Sequence, residues 1–444
     1  MHPVAGSLSL VYIHIQNCYL RFFMDILVRQ ARIIDPASPH HLQRADILIS
    51  NGRIATIGDT NAQADTVVDE PDTCISPGWV DVFAHFCDPG QEFRETLGTG
   101  ADAAAAGGFT DVFLIPNTIP VVHSKAPVEY VVQKSGSLPV TLHPIGAVTK
   151  LAEGKELSEM YDMSASGAAA FSDGLQSIQS PGLLLKALQY LKAVDKTLIQ
   201  LPDDRSISPG GLMNEGVLST RLGLPGRPAI AEELMIARDI ELAAYTGSKL
   251  HITGVSTARS LELIRSAKKA GIAVSCSVTP AHLWFTEEDL KDYDTNLKLN
   301  PPLRSAADRD ALRQGILDGT VDCLATHHQP HDTDHKVVEF ETAGMGMMAL
   351  QTALAVVMMA VPGLPPERIE ALFSRNARTL FNLPQPTIAV GREASLTLFN
   401  QTASWTFSKE VNRSRSANSP FFGKEMTGKP IGIIHKGRVF LSTY

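Results

Sequence analysis

Two stretches of this chain concentrate side chains that could hold a cation or move a proton. The first is a largely apolar run, Ser76-Pro77-Gly78-Trp79-Val80-Asp81-Val82-Phe83-Ala84-His85-Phe86-Cys87, that closes in a Pro89-Gly90 turn. It reads as a buried strand delivering His85 to its end. The second is a dense group, His327, His328, His331, Asp332, Asp334 and His335. Clustered His and Asp suit zinc, but this spacing matches no standard ligand motif, and an ordinary polar loop has the same composition. Asp173 follows Phe171-Ser172, and Gln200 lies in Ile199-Gln200-Leu201-Pro202. Asp203-Asp204-Arg205 could supply an acid/base pair; a local ion pair to Arg205 is the plainer reading. In His251-Ile252-Thr253-Gly254, alternation along a strand turns position 251 away from position 254, so His251 reads as a packed imidazole. His282 reads as structural. Cys87 has nothing basic beside it in sequence and reads as filler, not as a nucleophile.

Regular elements must position these groups. Short strands end near His85, Asn117, Thr149, Asp173, Leu201, Gly254, Thr279 and His328. Helical patterns lie between most of them. Ser180-Pro181 opens one, with Leu184, Leu188 and Leu191 on one face. Ala231 to Tyr245 forms another, closed by Gly247, and a third runs from a Ser256 cap to Gly271. The Met-rich stretch from Gly344 to Met359 reads as a buried helix after the eighth strand. Eight strands with helical crossovers imply a (β/α)₈ barrel with its site at the C-terminal strand ends. Residues 24–75 and 386–444 read as two small β pieces flanking a barrel over 76–385. Asn51-Gly52 and Lys436-Gly437 mark hairpin turns in them.

The chain has 444 residues, a net charge of −8 and five scattered cysteines. The charge gives no reason to expect nucleic acid or an anionic membrane as a partner. No apolar run approaches the roughly 20 residues of a membrane span. The cysteines, without CxxC spacing, point to buried thiols in a reducing, cytoplasmic setting. Residues 1–23 lack the basic segment of a leader, and Met24 looks like a natural start, so they read as a disordered or mis-called extension.

From Met24 onward the chain resembles the dihydroorotases, within the metal-dependent amidohydrolases. The resemblance rests on Ser76 to Gly90, on Gly107-Gly108-Phe109-Thr110-Asp111 followed by Pro116-Asn117-Thr118, on Asn300-Pro301-Pro302-Leu303-Arg304 with Asp308, and on Asn418-Ser419-Pro420-Phe421 with Gly423. It implies a (β/α)₈ barrel with a composite β-sandwich and a catalytic divalent metal. In that family the first strand ends in His-x-His, followed two residues later by an Arg for the substrate carboxylate. The fourth strand supplies a carboxylate and the fifth a His. The sixth reads His-x-x-His-Val-Ser-Thr. The eighth reads Thr-Asp-His-Ala-Pro-His, its Asp acting as general base. Here the resemblance leaves His85 and Asp173 as vestigial metal ligands, and Asn117 and His331 at substrate-binding positions. Phe83, Cys87, Gln200, Gly254 and His327 stand where the family's functional groups are expected.

A four-ligand zinc site is worth about 10–16 kcal/mol, on the order of 3 kcal/mol per ligand. Three missing imidazoles therefore remove many decades of affinity. Without the ion no group brings the pKa of water from about 15.7 toward 7. His327 can accept a proton but adds no negative charge to a cationic site. Three functions follow as expectations. One is a non-catalytic dihydroorotase-like protein of pyrimidine biosynthesis, needing no cofactor and acting structurally or as a regulator, either beside aspartate transcarbamoylase or as a homo-oligomer. Another is an active dihydroorotase, or other cyclic amidohydrolase, with zinc at a rearranged site of His85, Asp173 and the 327–335 cluster. The third is a sensor of a dihydropyrimidine or carbamoyl ligand through Asn117 and His331.

Overall fold

The computed structural model describes residues 24–207 and 209–442; the expected extension over 1–23 lies outside the described residues. Eight strands run parallel in sequence order: Trp79–Ala84, Phe109–Leu114, Thr141–Gly146, Ala170–Phe171, Leu198–Gln200, Leu250–Ile252, Val274–Val278 and Cys323–Leu324. A parallel bridge between Ala84 and His328 brings the last back to the first, and the His85 N–H donates to the His328 carbonyl at 2.8 Å. The ring is thus a (β/α)₈ barrel. Its inner layers are apolar, with Val82, Phe83, Phe113, Ile145, Ile199 and Cys323 in one cluster.

The helices form where cap and periodicity coincide. In Pro181–Ala193 the Ser180 hydroxyl accepts from the Leu183 N–H, proline occupies the first turn, and Leu184, Leu188 and Leu191 are buried. Ile230–Thr246 stops at Gly247, whose φ of +63° is in the left-handed region. The third expected cap is corrected: Thr257, not Ser256, caps Ala258–Lys269. The Ser256 hydroxyl instead donates to the buried Glu232 carboxylate. After the eighth strand the helix covers only Ala353–Ala360; Met345, Met347 and Met348 lie in the loop before it. Among the described residues no helix is long and apolar enough to cross a membrane.

The two chain ends meet in one eight-stranded sheet. Cys74–Pro77 pairs antiparallel with Leu396–Thr406 on one side and parallel with Ile26–Ile33 on the other. Both expected hairpin turns have two residues of positive φ, Asn51-Gly52 (+53°, +72°) and Lys436-Gly437 (+54°, +71°). The run read as one strand from Ser76 is divided at Gly78. Residues up to Pro77 belong to this sheet, and the barrel begins at Trp79. A side chain at position 78 would meet the Thr110 hydroxyl at 2.2 Å, so only glycine lets the chain cross there.

Candidate active site at the barrel mouth

The strand ends bring Phe83, Leu201, Gly254 and His327 to the barrel axis. Phe83 is 1% exposed, and its ring lies against the His327 imidazole, centroids 4.6 Å apart at 35°. The Thr253 hydroxyl lies 2.8 Å from His327 Nε2. A Cβ at Gly254 would come within 2.7 Å of His327 Cε1 and 3.2 Å of Leu201 Cδ1. The space left among Phe83, His85, Leu175, His327 and His328 is about 10 Å³, room for one water. Burial pushes the His327 imidazole down to about 3, so it is neutral at pH 7.

Gln200 does not face this axis. Its amide is directed at the Ile178 backbone (3.5 Å) and Met235 Sδ (3.9 Å), toward the helix layer. Ile199 belongs to the inner cluster, so by alternation the inward residue at the end of the fifth strand is Leu201. The expected position is therefore corrected by one residue, and an apolar side chain occupies it. The local ion pair at Arg205 is also corrected. Arg205 donates to Gln176 Oε1 and the Ser177 carbonyl, and Asp203 lies 3.7 Å from Arg227.

The groups that survive from the expected ligand set have other partners. Both Asp173 carboxylate oxygens accept from Thr149, one from its N–H (2.9 Å) and one from its hydroxyl (2.6 Å). Burial raises this carboxyl to about 6 despite those bonds. Asn117 donates to the Asp173 carbonyl (3.1 Å) and accepts from the Leu175 N–H (3.0 Å), bracing the turn after the fourth strand. His331 Nε2 donates to the Met345 carbonyl at 2.8 Å. His85 Nδ1 lies 3.5 Å from Cys87 Sγ, while its buried Nε2 has no partner. Burial lowers His85 to about 4 and raises the Cys87 thiol to about 12, which leaves the cysteine an inert filler. His251 and His282 are internal: His251 bonds Ser275 (2.9 Å) and Ser277 (3.0 Å), and His282 bonds Thr279 (2.7 Å). Asp332 pairs with His335 and lies 3.7 Å from Arg94.

Among the described residues no three His, Cys, Asp or Glu side chains are arranged to hold an ion. A divalent metal needs about three protein donors and an open position. The unpartnered His85 Nε2 is one such donor, Asp173 is committed to Thr149, and rings fill the axis. The residues present do not fit the ion.

Sequence reasoning missed Glu95. It is fully buried and accepts from the Thr99 and Ser414 hydroxyls and from the Arg415 N–H (3.0 Å), with His328 Nε2 at 3.5 Å. Burial pushes its pKa up, but His328, Ser414 and Thr99 outweigh that and hold it below the usual range. Glu95 ties a C-terminal segment across the mouth. Asn418 adds to the strap, accepting from the His331 N–H (2.9 Å) and donating to the Gln329 carbonyl (3.0 Å). No motif marks Glu95; the only signal is an acidic residue just before a helix cap. On the rim a separate cleft of about 460 Å³ is lined by Asn117, Leu151, Lys155, Gln176 and Arg205, and no histidine borders it.

The "Dihydro-orotase-like" family model matches residues 73–260. A protein named dihydroorotase from Pelotomaculum thermopropionicum is 40% identical over 422 residues, covering 94% of this chain and 99% of its own. One of the same name from Syntrophus aciditrophicus is 39% identical over the same shares. Among solved structures, L-hydantoinase (dihydropyrimidinase) from Arthrobacter aurescens superposes with a TM-score of 0.80 at 24% identity, covering 94% of this chain and 98% of that one. That likeness concerns the fold.

Proposed function

Because this chain belongs to the dihydroorotase-like family, we propose that it serves pyrimidine biosynthesis as a member that does not hydrolyse dihydroorotate. One observation carries this reading: the axis where the ion would sit is filled by the packed rings of Phe83 and His327. Ring opening and closure need a polarised amide carbonyl and an activated water. Neutral His327, held by Thr253, could take a proton, but no neighbouring group would lower the pKa of water.

The use that remains is structural or regulatory. We propose that the chain assembles with itself or with aspartate transcarbamoylase; this rests on analogy at the level of the family.

A second reading is an active dihydroorotase or other cyclic amidohydrolase using zinc. The relatives favour it, since proteins sharing 39–40% identity over nearly the whole chain are named dihydroorotase. The unpartnered His85 Nε2 is the donor such a site would start from. A carbamoyl or dihydropyrimidine sensor has less support, because Asn117 and His331 are spent on loop backbone.

Metal content and turnover separate the first two readings. Protein purified from zinc-supplemented cells without chelator is expected to hold well under one metal per chain and to leave dihydroorotate unchanged. About one metal per chain with measurable turnover would establish the second reading.

A further inference from the structure

A polar chain inside the barrel ends on the ring that fills its mouth. Ser275 Oγ bonds His251 Nδ1 (2.9 Å), and His251 Nε2 bonds Ser277 Oγ (3.0 Å). Ser277 donates to Thr253 Oγ1 (3.0 Å), and Thr253 Oγ1 meets His327 Nε2 (2.8 Å). Four of these five side chains are 5% exposed or less. Rotating His327 out of the axis would leave Thr253 with an unmet hydrogen bond in the interior.

Two further neighbours pack on the imidazole, which is otherwise partly exposed. Phe83 covers one face, and Gly254 lies at its edge. Gly254 has φ +69°, and a Cβ there would stand 2.7 Å from His327 Cε1, inside any tolerated contact. Pro301 Cδ and Leu201 Cδ1, at 3.1 and 3.2 Å from the same point, leave that added Cβ little room to shift away from the ring.

We infer that Phe83, Gly254, Thr253 and His327 form one interlocked plug, so that position 254 accepts a side chain only when the ring at position 327 is removed. The ion position is then closed by packing as well as by lack of donors. The interlock is independent of whether the chain turns over any substrate, because its test reads stability.

The test is a double-mutant cycle with Gly254→Ala and His327→Ala, read by melting temperature. Alanine at position 254 carries backbone strain at φ +69° in either background, so the cycle cancels that strain and leaves the clash with the ring. Gly254→Ala is expected to lower the melting temperature by several degrees more in the wild type than in His327→Ala. Equal losses in the two backgrounds would overturn the interlock. If Gly254→Ala does not fold with His327 present but folds in His327→Ala, the coupling is shown outright. Thr253→Val supplies a second reading. Nitrogen NMR of His327 should show loss of the Nε2 hydrogen bond and a mobile ring; an unchanged, rigid ring would mean the polar chain does not hold the plug.

Discussion

At the scale of the residue, His327 decides what this site can do. Its folded value of about 3 lies below the ordinary imidazole value of 6.5, the main cause being burial, with the charge of His282 adding to it. The sign follows directly. Between those two values the unfolded chain binds a proton at this position that the folded chain does not. The stability contributed by neutral His327 is therefore fully present above about pH 6.5 and is lost as pH falls toward 3. Replacing it with alanine removes that dependence. The gap in melting temperature between wild type and His327→Ala is expected to narrow steadily from pH 7.5 to pH 4.5, measured by differential scanning fluorimetry. His251 and His282 couple to His327, so His327→Ala also eases their protonation and the gap reads the linked rings together. A gap constant across this range would mean that His327 is not held neutral. The histidine itself was visible in the sequence, as was its replacement of an expected acid. Its packing against Phe83 was not, because two residues so far apart in sequence meet only when the last strand returns to the first.

At the scale of the element, Glu95 ties together the loops that cross the mouth. Glu95 holds Thr99 at the start of helix Leu97–Ala106, His328 after the eighth strand, and Ser414 with Arg415 in the C-terminal strap. A buried acceptor with this many donors is costly to remove. Glu95→Ala is expected to destabilise the fold by about 3 kcal/mol in urea melts, since bonds to a charged acceptor contribute about 1.5–3 kcal/mol each and several share it. It should also speed tryptic cleavage at Arg413 and Arg415 several-fold, because the strap loses its anchor. Unchanged cleavage would mean that Gln351, Ser416 and Asn418 pin the segment without Glu95. The eight strand ends were legible because each couples an apolar run to a polar turn. The facing of the fifth was not. It is only three residues long, Leu198–Gln200, and so short an alternation leaves its inward register open until neighbours are in place. Leu201, just past its end, is the side chain that meets Gly254.

At the scale of the whole molecule, the barrel and the terminal sheet share one core. Trp79, the first barrel residue, stacks on Phe373 at 4.5 Å and tilts against Phe399 of the sheet at 5.1 Å. That two β pieces flank a barrel could be read from hairpin signals at both ends. Their pairing through Leu396–Phe399 and Cys74–Pro77 could not, since periodicity does not identify a partner strand. Nor could Arg378, which fixes the junction. Its guanidinium donates to the Gly78 carbonyl at 2.7 Å, to Asp111 Oδ2 at 2.6 Å and to the Pro384 carbonyl at 3.1 Å. Burial would raise the Asp111 carboxyl, but Arg378 and then His143 outweigh it and hold it far below the usual range. Arg378→Ala leaves that buried carboxylate with only His143 and Thr110 as partners and is expected to cost about 3 kcal/mol at pH 7. Because a depressed carboxyl contributes its full stability only above its unfolded value near 4 and loses it progressively below, the loss should shrink as pH falls past that value. Arg378→Lys keeps the charge but has one short head in place of a fork, so it cannot reach Gly78, Asp111 and Pro384 together. Urea melts followed by tryptophan fluorescence should therefore show Lys recovering less than half of the loss. Full recovery by Lys would mean that the junction needs only a positive charge, and that the planar fork joining barrel to sheet carries none of the stability.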